Sequence, residues 1–274
     1  MSLLKFTKKN KNPLDKNKTM KNYLDELTKQ KDKKISCIIP AYNEEKNITK
    51  VLEVVKDFPF FDEVIVVDDG SADQTSEKAR EGYEFKVIKH PKNRGKSAAV
   101  QTGMDNSKGE LIVLLDADLL GLSQENIAKL IYLVMTKKYD LTILDRQGDR
   151  EAIWGPTNCA RLYGGEKCFW RKDFEKIKIP KNGGYLVDVL MNLYYIKNNK
   201  RVRTLYCKNL YTVHQFNKVG KIRGYYNYMK ISYKYIKASG LKGMLEQIKQ
   251  IEDEYSEIKQ KHKTKNFRFF NFGS

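Results

Sequence analysis

The chain has 274 residues, and its 52 Lys and Arg against 34 Asp and Glu give a formal net charge of +18. A hydrophobic content of 41% with a varied composition excludes a collagen-like, low-complexity or acidic disordered chain. No run of about 18 apolar residues is present and the N-terminus lacks an apolar leader, so neither a transmembrane helix nor a secretory signal is predicted.

The charge divides the chain into three parts. Residues 1–34 hold 11 basic and 4 acidic residues, residues 35–196 hold 23 and 25, and residues 197–274 hold 18 and 5. We therefore predict a basic N-terminal extension (1–34), an α/β domain (35–217) and a basic, Tyr- and Lys-rich helical region (218–274). The four cysteines form no Cys-x-x-Cys pair, which is typical of reduced thiols in a cytoplasmic protein.

Predicted strands and helices alternate through the middle of the chain. Apolar runs predict strands at 35–39, 63–67, 85–88, 111–115, 141–144 and 201–207. Helical spacing or composition predicts helices at 48–55, 74–81, 95–107 and 127–134, and a further helix that ends near 196. Apolar strands separated by amphipathic helices indicate an α/β fold whose mostly parallel sheet is covered on both faces.

Polar clusters follow three of these strands directly. They are Tyr42-Asn43-Glu44, Asp68-Asp69 and Asp116-Ala117-Asp118. Because parallel sheets bind ligands at the carboxyl ends of their strands, these clusters are expected to form one site. The glycine-rich GxGxxG and GxxxxGK[ST] signatures are absent, although 93–97 superficially resembles a phosphate loop.

Asp116 and Asp118 form the strongest candidate metal site. Two carboxylates two residues apart at a strand exit can share a hard cation with phosphate oxygens, which favours Mg²⁺ or Mn²⁺. An Asp-x-Asp pair is also common in solvated turns. His214, which follows the strand at 201–207, is either a third ligand or a packing histidine. His90 precedes a proline and is predicted to lie in a loop.

Asp188 lies near the start of the last predicted helix. The helix dipole stabilises a carboxylate there without any function. Asp188 is also the candidate general base that takes a proton from an acceptor hydroxyl. Four basic residues are candidates for neutralising a diphosphate: Arg94, Lys96, Arg171 and Lys172. The alternative for each is a solvated basic side chain at the surface.

Taken in order, these motifs resemble family 2 glycosyltransferases of the GT-A fold. The matching segments, which cover about residues 35–215, are Ile39-Pro40-Ala41-Tyr42-Asn43-Glu44-Glu45, Val66-Val67-Asp68-Asp69-Gly70-Ser71-Ala72-Asp73, Asn93-Arg94-Gly95-Lys96, Leu115-Asp116-Ala117-Asp118 and Gly164-Gly165-Glu166-Lys167 through Arg171-Lys172. The resemblance implies sugar transfer from a nucleotide diphosphate sugar, with Mg²⁺ or Mn²⁺ as cofactor.

The resemblance also implies roles for single residues. The donor nucleotide would be held by Pro40, Tyr42, Glu44, Asp68, Asp69, Lys96 and Asp116. Asp118 would ligate the metal, and His214 would join it as in glucosyl-phosphoglycerate and mannosylglycerate synthases. The acceptor and diphosphate side would be formed by Gly164, Gly165 and Arg171, with Asp188 as the catalytic carboxylate.

Three positions depart from the family pattern. Ser97 stands where a second glycine is common, Tyr163 precedes Gly164-Gly165 in place of a Ser-Gly loop, and Asp188 follows a valine. If Asp188 is a base, direct displacement with inversion follows. If the chain groups with the histidine-bearing relatives, retention is the alternative and Asp188 orients the acceptor.

The basic C-terminal region predicts contact with an anionic membrane surface. Tyrosines and lysines interleave through 222–237, as on a helix lying at a lipid interface. Each basic residue near an anionic membrane surface contributes about 1 kcal/mol to the free energy of membrane binding. This would place the enzyme peripherally on the cytoplasmic side of a membrane. The alternative is that a lysine-rich composition accounts for the charge and the apolar stripe packs on the core.

The predicted activity is transfer of a sugar to a hydroxyl or phosphate acceptor that is lipid or lipid-linked. A UDP-sugar is the first choice of donor and GDP-mannose the second. A soluble enzyme with a small acceptor of the phosphoglycerate or glycerate type is the alternative. A nucleic-acid binder fits less well because the basic residues lie in the flanks. A sugar-1-phosphate nucleotidyltransferase would need a glycine-rich loop near the start of the domain, and residues 35–45 do not form one. An inactive scaffold is disfavoured because Asp116, Asp118 and Asp188 are all present.

Overall fold

A computed structural model describes residues 19–30, 32–146, 164–180, 183–184, 186–207, 209–212 and 240. His214 and, apart from Gly240, the region 218–274 lie outside the described residues. The predictions that rest on them, a metal-binding histidine and a membrane-binding region, therefore stay predictions.

The predicted alternation of strands and helices is confirmed. The strands are β1 Ile35–Ala41, β2 Glu63–Asp68, β3 Lys86–Lys89, β4 Leu111–Leu114, β5 Leu119–Leu120, β6 Leu141–Arg146, β7 Lys167–Trp170, β8 Val202–Cys207 and β9 Tyr211–Thr212. The helices are α1 Met20–Thr28, α2 Ile48–Lys56, α3 Thr75–Arg80, α4 Lys96–Asp105, α5 Gln124–Met135, α6 Arg171–Phe174 and α7 Leu186–Lys197. Within the described ranges, none of the helices combines the length and the apolar character needed to span a bilayer.

Seven strands form one sheet in the order β3-β2-β1-β4-β7-β6-β8, and β5 pairs with β9 in a separate two-stranded ladder. All pairs in the large sheet are parallel except those of β7, which runs antiparallel to both β4 and β6. The chain moves outward from β1 to β3 and then returns to β4 on the other side of β1. Such a reversal opens a crevice at the carboxyl ends of the two strands, where ligands bind in open α/β sheets.

The central strands of the sheet are buried on both faces, as their apolar sequences predicted, whereas the outer strands β3 and β8 are partly exposed. Along β1, Cys37 and Ile39 belong to the core cluster that includes α2 and α5, whereas Ile38 belongs to the cluster with α4 and α7. Successive side chains of a strand point to opposite faces, so a strand covered on both sides is apolar at every position. This explains the continuous hydrophobic runs in the sequence.

Pro40 marks the point where β1 and β4 separate. The β1–β4 ladder ends at Ile38 and Leu114, whereas Pro40 still pairs with Val67 of β2. Proline has no N–H to donate, so it fits a strand where the neighbouring ladder has ended. The crevice between the two strand ends therefore begins beside Pro40.

Part of the basic N-terminal extension packs on the α/β domain. The hydroxyl of Thr19 caps α1 in a reciprocal arrangement with Asn22, and Tyr23 and Leu27 are buried. The ring of Tyr23 meets that of Tyr132 on α5 edge to face, with centroids 5.2 Å apart. Helix α1 is thus anchored by two apolar side chains on its inner face.

Candidate active site

The loops after β1 and β2 are tied together by hydrogen bonds between their main chains and side chains. The Asn43 N–H donates to the Ser71 hydroxyl at 2.9 Å, and the Ala72 N–H donates to the Asn43 side-chain oxygen at 3.0 Å. The Glu44 N–H donates to the Thr75 hydroxyl at 2.8 Å. Asn43 adopts a positive φ of 55°, which asparagine tolerates better than most residues. The predicted nucleotide-binding segments therefore form one rigid unit.

Tyr42 presents an exposed ring at the edge of this unit, and 46% of the residue is accessible. Asp68 is fully buried, and its carboxylate accepts hydrogen bonds from the Ser71 N–H and the Ser76 hydroxyl. Burial alone would raise the pKa of Asp68, but these hydroxyl and N–H donors outweigh it and hold the pKa below its usual value. Asp68 organises the loop, and Tyr42 offers a surface on which a ring can stack.

Asp69 positions the segment that leads into α4. Its carboxylate accepts hydrogen bonds from the N–H groups of Arg94 at 3.0 Å and Gly95 at 2.6 Å. Gly95 has φ 90°, and a Cβ there would lie 2.9 Å from the Cα of Gly184, so only glycine fits. The next residue, Lys96, opens α4, so Asp69 determines where the Lys96 side chain begins.

Six ionisable side chains form a largely buried charge network at the crevice: Lys96, Asp116, Arg146, Glu166, Lys167 and Asp188. The Lys96 ammonium lies 2.7 Å from Asp116 and 3.1 Å from Asp188. The Lys167 ammonium lies 2.8 Å from the other oxygen of Asp188. The Arg146 guanidinium lies 3.3 Å from Glu166 and 3.9 Å from Asp116. Three cations and three carboxylates thus balance in a site that strands β4, β6 and β7 and helices α4 and α7 bring together.

The network shifts several pKa values. Burial alone would lower the pKa of Lys96, but Asp116 and Asp188 outweigh it and raise that pKa. Burial alone would raise the pKa of Asp116, but Lys96 and then Arg146 hold it below its usual value. For Glu166 burial dominates, and the pKa rises to about 7 despite the nearby Arg146. The network therefore keeps Asp116 ionised and leaves Glu166 poorly compensated.

Glu166 gives a test of this charge balance. With its pKa raised to about 7, Glu166 keeps its proton in the folded state up to about pH 7, whereas in the unfolded chain it loses the proton near its ordinary pKa of 4.5. Between these values the folded state binds more protons, so stability falls as pH rises. We expect the melting temperature of wild type to fall between pH 5 and 7.5 relative to Glu166→Gln, by at least about 2 °C. Melting curves of both proteins across this range measure it, and parallel curves would contradict the shift.

Gly165 brings the main chain against the charge network. A Cβ at this position would overlap both carboxylate oxygens of Asp116 and the ammonium of Lys96. The carbonyl of the preceding Gly164 accepts a hydrogen bond from Lys167. The predicted acceptor-side glycines therefore lie in the same site as the predicted donor-side carboxylate.

Ser97 has a structural role that accounts for its departure from the family pattern. Its N–H donates to the Gly184 carbonyl at 2.7 Å, and its hydroxyl accepts from the Val187 N–H at 3.1 Å. Ser97 thereby joins the first turn of α4 to the first turn of α7. This connection holds Lys96 and Asp188 at the same end of the crevice.

The position of Arg171 differs from the prediction, and this corrects the predicted site. Because β7 runs antiparallel to β4, its last residues lie beside the amino end of β4, with Trp170 opposite Leu111. The Arg171 guanidinium donates to the carbonyls of Gly109 and Met104 and to the Ser107 hydroxyl, at 2.6–2.9 Å. It secures the loop between α4 and β4 at the edge of the sheet opposite Asp116. The structure therefore places Arg171 away from Lys96, Asp116 and Asp188, and does not bring it together with the other predicted site residues.

Asp118 lies in the turn after β4 and is partly exposed. Within the described ranges, no three His, Cys, Asp or Glu side chains are grouped closely enough to hold a metal. Leu119, which follows Asp118, pairs with Thr212 in the β5–β9 ladder. The described chain thus passes beside Asp118 two residues before His214.

Reasoning from the sequence missed three residues of the charge network. Arg146 ends β6, and no motif distinguishes it. Glu166 and Lys167 fall within a quoted motif but received no role, and both are fully buried. A charged pair inside a short segment that also holds Cys168 and Phe169 was the available signal, since charged residues are seldom buried unless paired.

Comparisons with known proteins agree with these motifs. The sequence model described as "Glycosyl transferase family 2" matches residues 36–193. Human dolichyl-phosphate beta-glucosyltransferase is 37% identical over an alignment of 116 positions, and the match covers 37% of this chain and 36% of that protein. Dodecaprenyl-phosphate galacturonate synthase of Rhizobium johnstonii is 30% identical over an alignment of 129 positions, and the match covers 44% of this chain and 38% of that protein. The matched segments span about a third of these curated relatives.

A solved structure supports the fold assignment. Glucosyl-3-phosphoglycerate synthase from Mycobacterium tuberculosis, in complex with Mn²⁺, uridine diphosphate and phosphoglyceric acid, superposes with a TM-score of 0.64. It is 18% identical, and the alignment covers 81% of this chain and 83% of that one. At this identity the likeness shows a shared GT-A fold.

Proposed function

Because the chain belongs to glycosyl transferase family 2, we propose that it transfers a sugar from a nucleotide diphosphate sugar to the phosphate of a polyprenyl phosphate lipid. A UDP-sugar is the favoured donor and GDP-mannose the second. The names of the curated relatives, which act on dolichyl and dodecaprenyl phosphates, support a lipid phosphate acceptor. The matched segments span only about a third of these relatives, so the geometry of the site is the main support for this acceptor.

The observation that carries the proposal is the environment of Asp188. One of its carboxylate oxygens lies 3.1 Å from the Lys96 ammonium and the other 2.8 Å from the Lys167 ammonium. A hydroxyl acceptor needs a base with a free lone pair to take its proton. A phosphate acceptor already carries a negative oxygen and needs cations to hold it in place. The Lys96–Asp188–Lys167 arrangement suits the second kind of acceptor, with Asp188 holding the two lysines.

The donor would lie across the joined loops after β1 and β2. In this arrangement the exposed ring of Tyr42 stacks on the base, and Glu44 and Asp69 border the nucleoside. Lys96 faces the diphosphate and neutralises the charge that develops on the leaving group, since preorganised charge is the largest catalytic term in many enzymes. Asp116 holds Lys96 until the donor arrives.

Mg²⁺ or Mn²⁺ is the proposed cofactor. The described residues fit it in part: Asp118 offers carboxylate oxygens at a partly exposed turn beside Asp116, and Mg²⁺ often takes only one or two carboxylates plus phosphate oxygens. His214 is the proposed second protein ligand, in line with the β5–β9 pairing that ends two residues before it. When bound, the ion would neutralise the diphosphate.

Asp118→Ala tests the metal assignment. We expect the variant to lose metal-dependent binding of the nucleoside diphosphate by at least about 100-fold, because one of few protein ligands is removed. Calorimetry with UDP and with GDP, each with and without Mn²⁺, measures the change. Asp57→Ala, an exposed aspartate at the end of α2, is the matched control and is expected to bind like wild type. Equal Mn²⁺ enhancement in Asp118→Ala and wild type would reject the assignment.

An acceptor comparison tests the proposed function itself. Purified protein with Mn²⁺ is given UDP-glucose or GDP-mannose and one of three acceptors: a polyprenyl phosphate, the corresponding polyprenol, or 3-phosphoglycerate. We expect nucleoside diphosphate release and a glycolipid product with the polyprenyl phosphate alone. Transfer to the polyprenol shows a hydroxyl acceptor and a working base, and transfer to 3-phosphoglycerate favours the small-acceptor alternative. Either result overturns the proposal.

A further inference from the structure

His90 is buried beside the donor site, although the sequence indicates only a loop before Pro91. Only 4% of the residue is exposed. Its Nδ1 lies 2.7 Å from an oxygen of Asp69, and its Nε2 lies 2.9 Å from the hydroxyl of Thr102. Both ring nitrogens thus have a partner in a largely buried site.

These partners determine the orientation of the ring. A carboxylate only accepts hydrogen bonds, so the Nδ1–H of His90 donates to Asp69. Nε2 forms the other hydrogen bond, with the Thr102 hydroxyl. The three residues form a chain of hydrogen bonds, Thr102–His90–Asp69, which we call the relay.

The relay contacts α4 and the segment before it. Thr102 lies within α4, and Asp69 accepts from the N–H groups of Arg94 and Gly95, which directly precede α4. Lys96 is the first residue of that helix and lies 2.7 Å from Asp116. The relay therefore holds both the start of α4 and its second turn against the ends of β2 and β3.

We propose that His90 is a positioning residue for sugar transfer, acting through Asp69 and the start of α4 to place the Lys96 ammonium at the donor diphosphate. This inference rests on the proposed function. When the donor binds, the Lys96 ammonium exchanges its partner Asp116 for a phosphate. The physical basis of the proposal is that a second layer of hydrogen bonds keeps Lys96 in position during this exchange. A displacement of about 1 Å at such a group can cost about 100-fold in rate.

The test is a double-mutant cycle between the relay and Lys96. Thr102→Val keeps the size of the side chain and removes the hydroxyl, so Nε2 of His90 loses its hydrogen-bond partner. We expect kcat to fall about tenfold, with a smaller rise in KM for the donor. In the Lys96→Gln background, Thr102→Val is expected to cause no further loss, because its effect passes through Lys96.

Binding of UDP and GDP with Mn²⁺, measured by calorimetry on the same four proteins, gives a second readout if Lys96→Gln is too slow to assay. We expect Thr102→Val to weaken binding of the preferred nucleotide about threefold with Lys96 present and to leave it unchanged in Lys96→Gln. Should Thr102→Val fail to fold, His90→Gln, which keeps a donor and an acceptor, replaces it in the cycle.

Two controls separate positioning from stability. Thr102→Ser restores the hydroxyl and is expected to restore kcat. Thr136→Val removes the 2.7 Å hydrogen bond that the Thr136 hydroxyl donates to the Tyr132 carbonyl at the end of α5, remote from the crevice. This variant is expected to change the melting temperature but not kcat. Multiplicative losses in the cycle, or an unchanged kcat in Thr102→Val, overturn the inference. Wild type that binds neither nucleotide overturns the proposed function itself.

Discussion

Asp188→Asn is expected to lower the melting temperature by roughly 10 °C and to abolish transfer. Asp188 is 1% exposed and compensates two ammonium groups, those of Lys96 and Lys167. Removing one partner of a buried ion pair costs roughly 3–5 kcal/mol, because the remaining charge stays buried without compensation. For a chain of this size, each kcal/mol corresponds to about 2–4 °C. Thermal unfolding and single-turnover assays measure the two effects.

A second variant distinguishes holding two lysines from acting as a base. Asp188→Asn combined with Lys167→Met removes one charge of each sign, and we expect most of the lost stability to return while transfer stays absent. Asp140→Asn is the matched control, since its partner Arg201 is half exposed and the loss is expected to stay below about 1 kcal/mol. If Asp188→Asn melts like wild type yet fails to transfer, the carboxylate is a base and the phosphate-acceptor argument fails.

The fold was largely predictable because the buried strands have continuous apolar sequences. Strand β7 is the instructive exception. Its four residues include Lys167, whose charge breaks the apolar run, and no local pattern shows that the segment inserts between β4 and β6. Lys167 is buried because Asp188, twenty-one residues later, pairs with it. A strand stabilised by a long-range ion pair has no signature within its own few residues.

The candidate site divides in the same way. Asp68, Asp69 and Asp116 were placed correctly at strand ends, since the carboxyl ends of parallel strands share one edge of the sheet. Arg171 was misplaced because reasoning by motif order carries no strand direction. Once β7 is antiparallel, the residue that follows it belongs to the opposite edge. The buried role of His90 depends on Thr102 of another element, which a proline-adjacent loop position does not indicate.

Gly165→Ala is expected to reduce transfer by at least about 100-fold with only a moderate loss of stability. The added methyl group would overlap Asp116 and the Lys96 ammonium, so one of them must leave its position. The main chain is not free to move away, because Gly164 accepts from Lys167 and the Glu166 carbonyl accepts from the Leu144 N–H at 3.0 Å. The side chains therefore move, and a displaced Lys96 no longer faces the diphosphate.

The control for Gly165→Ala is a glycine at the other end of the sheet, whose replacement lowers stability without touching the site. A Cβ at Gly109, just before β4, would overlap Ser36 near the start of β1, so Gly109→Ala is expected to lower the melting temperature. Its transfer rate per folded molecule should stay within about threefold of wild type, because the Ser36 contact lies at the amino ends of β1 and β4, away from Lys96 and Asp116. Transfer rates of both variants, normalised to the folded fraction at the assay temperature, are the measurement. A Gly165→Ala enzyme no slower than Gly109→Ala would mean that transfer does not depend on the Lys96–Asp116 contact, and the role assigned to Lys96 would have to be withdrawn.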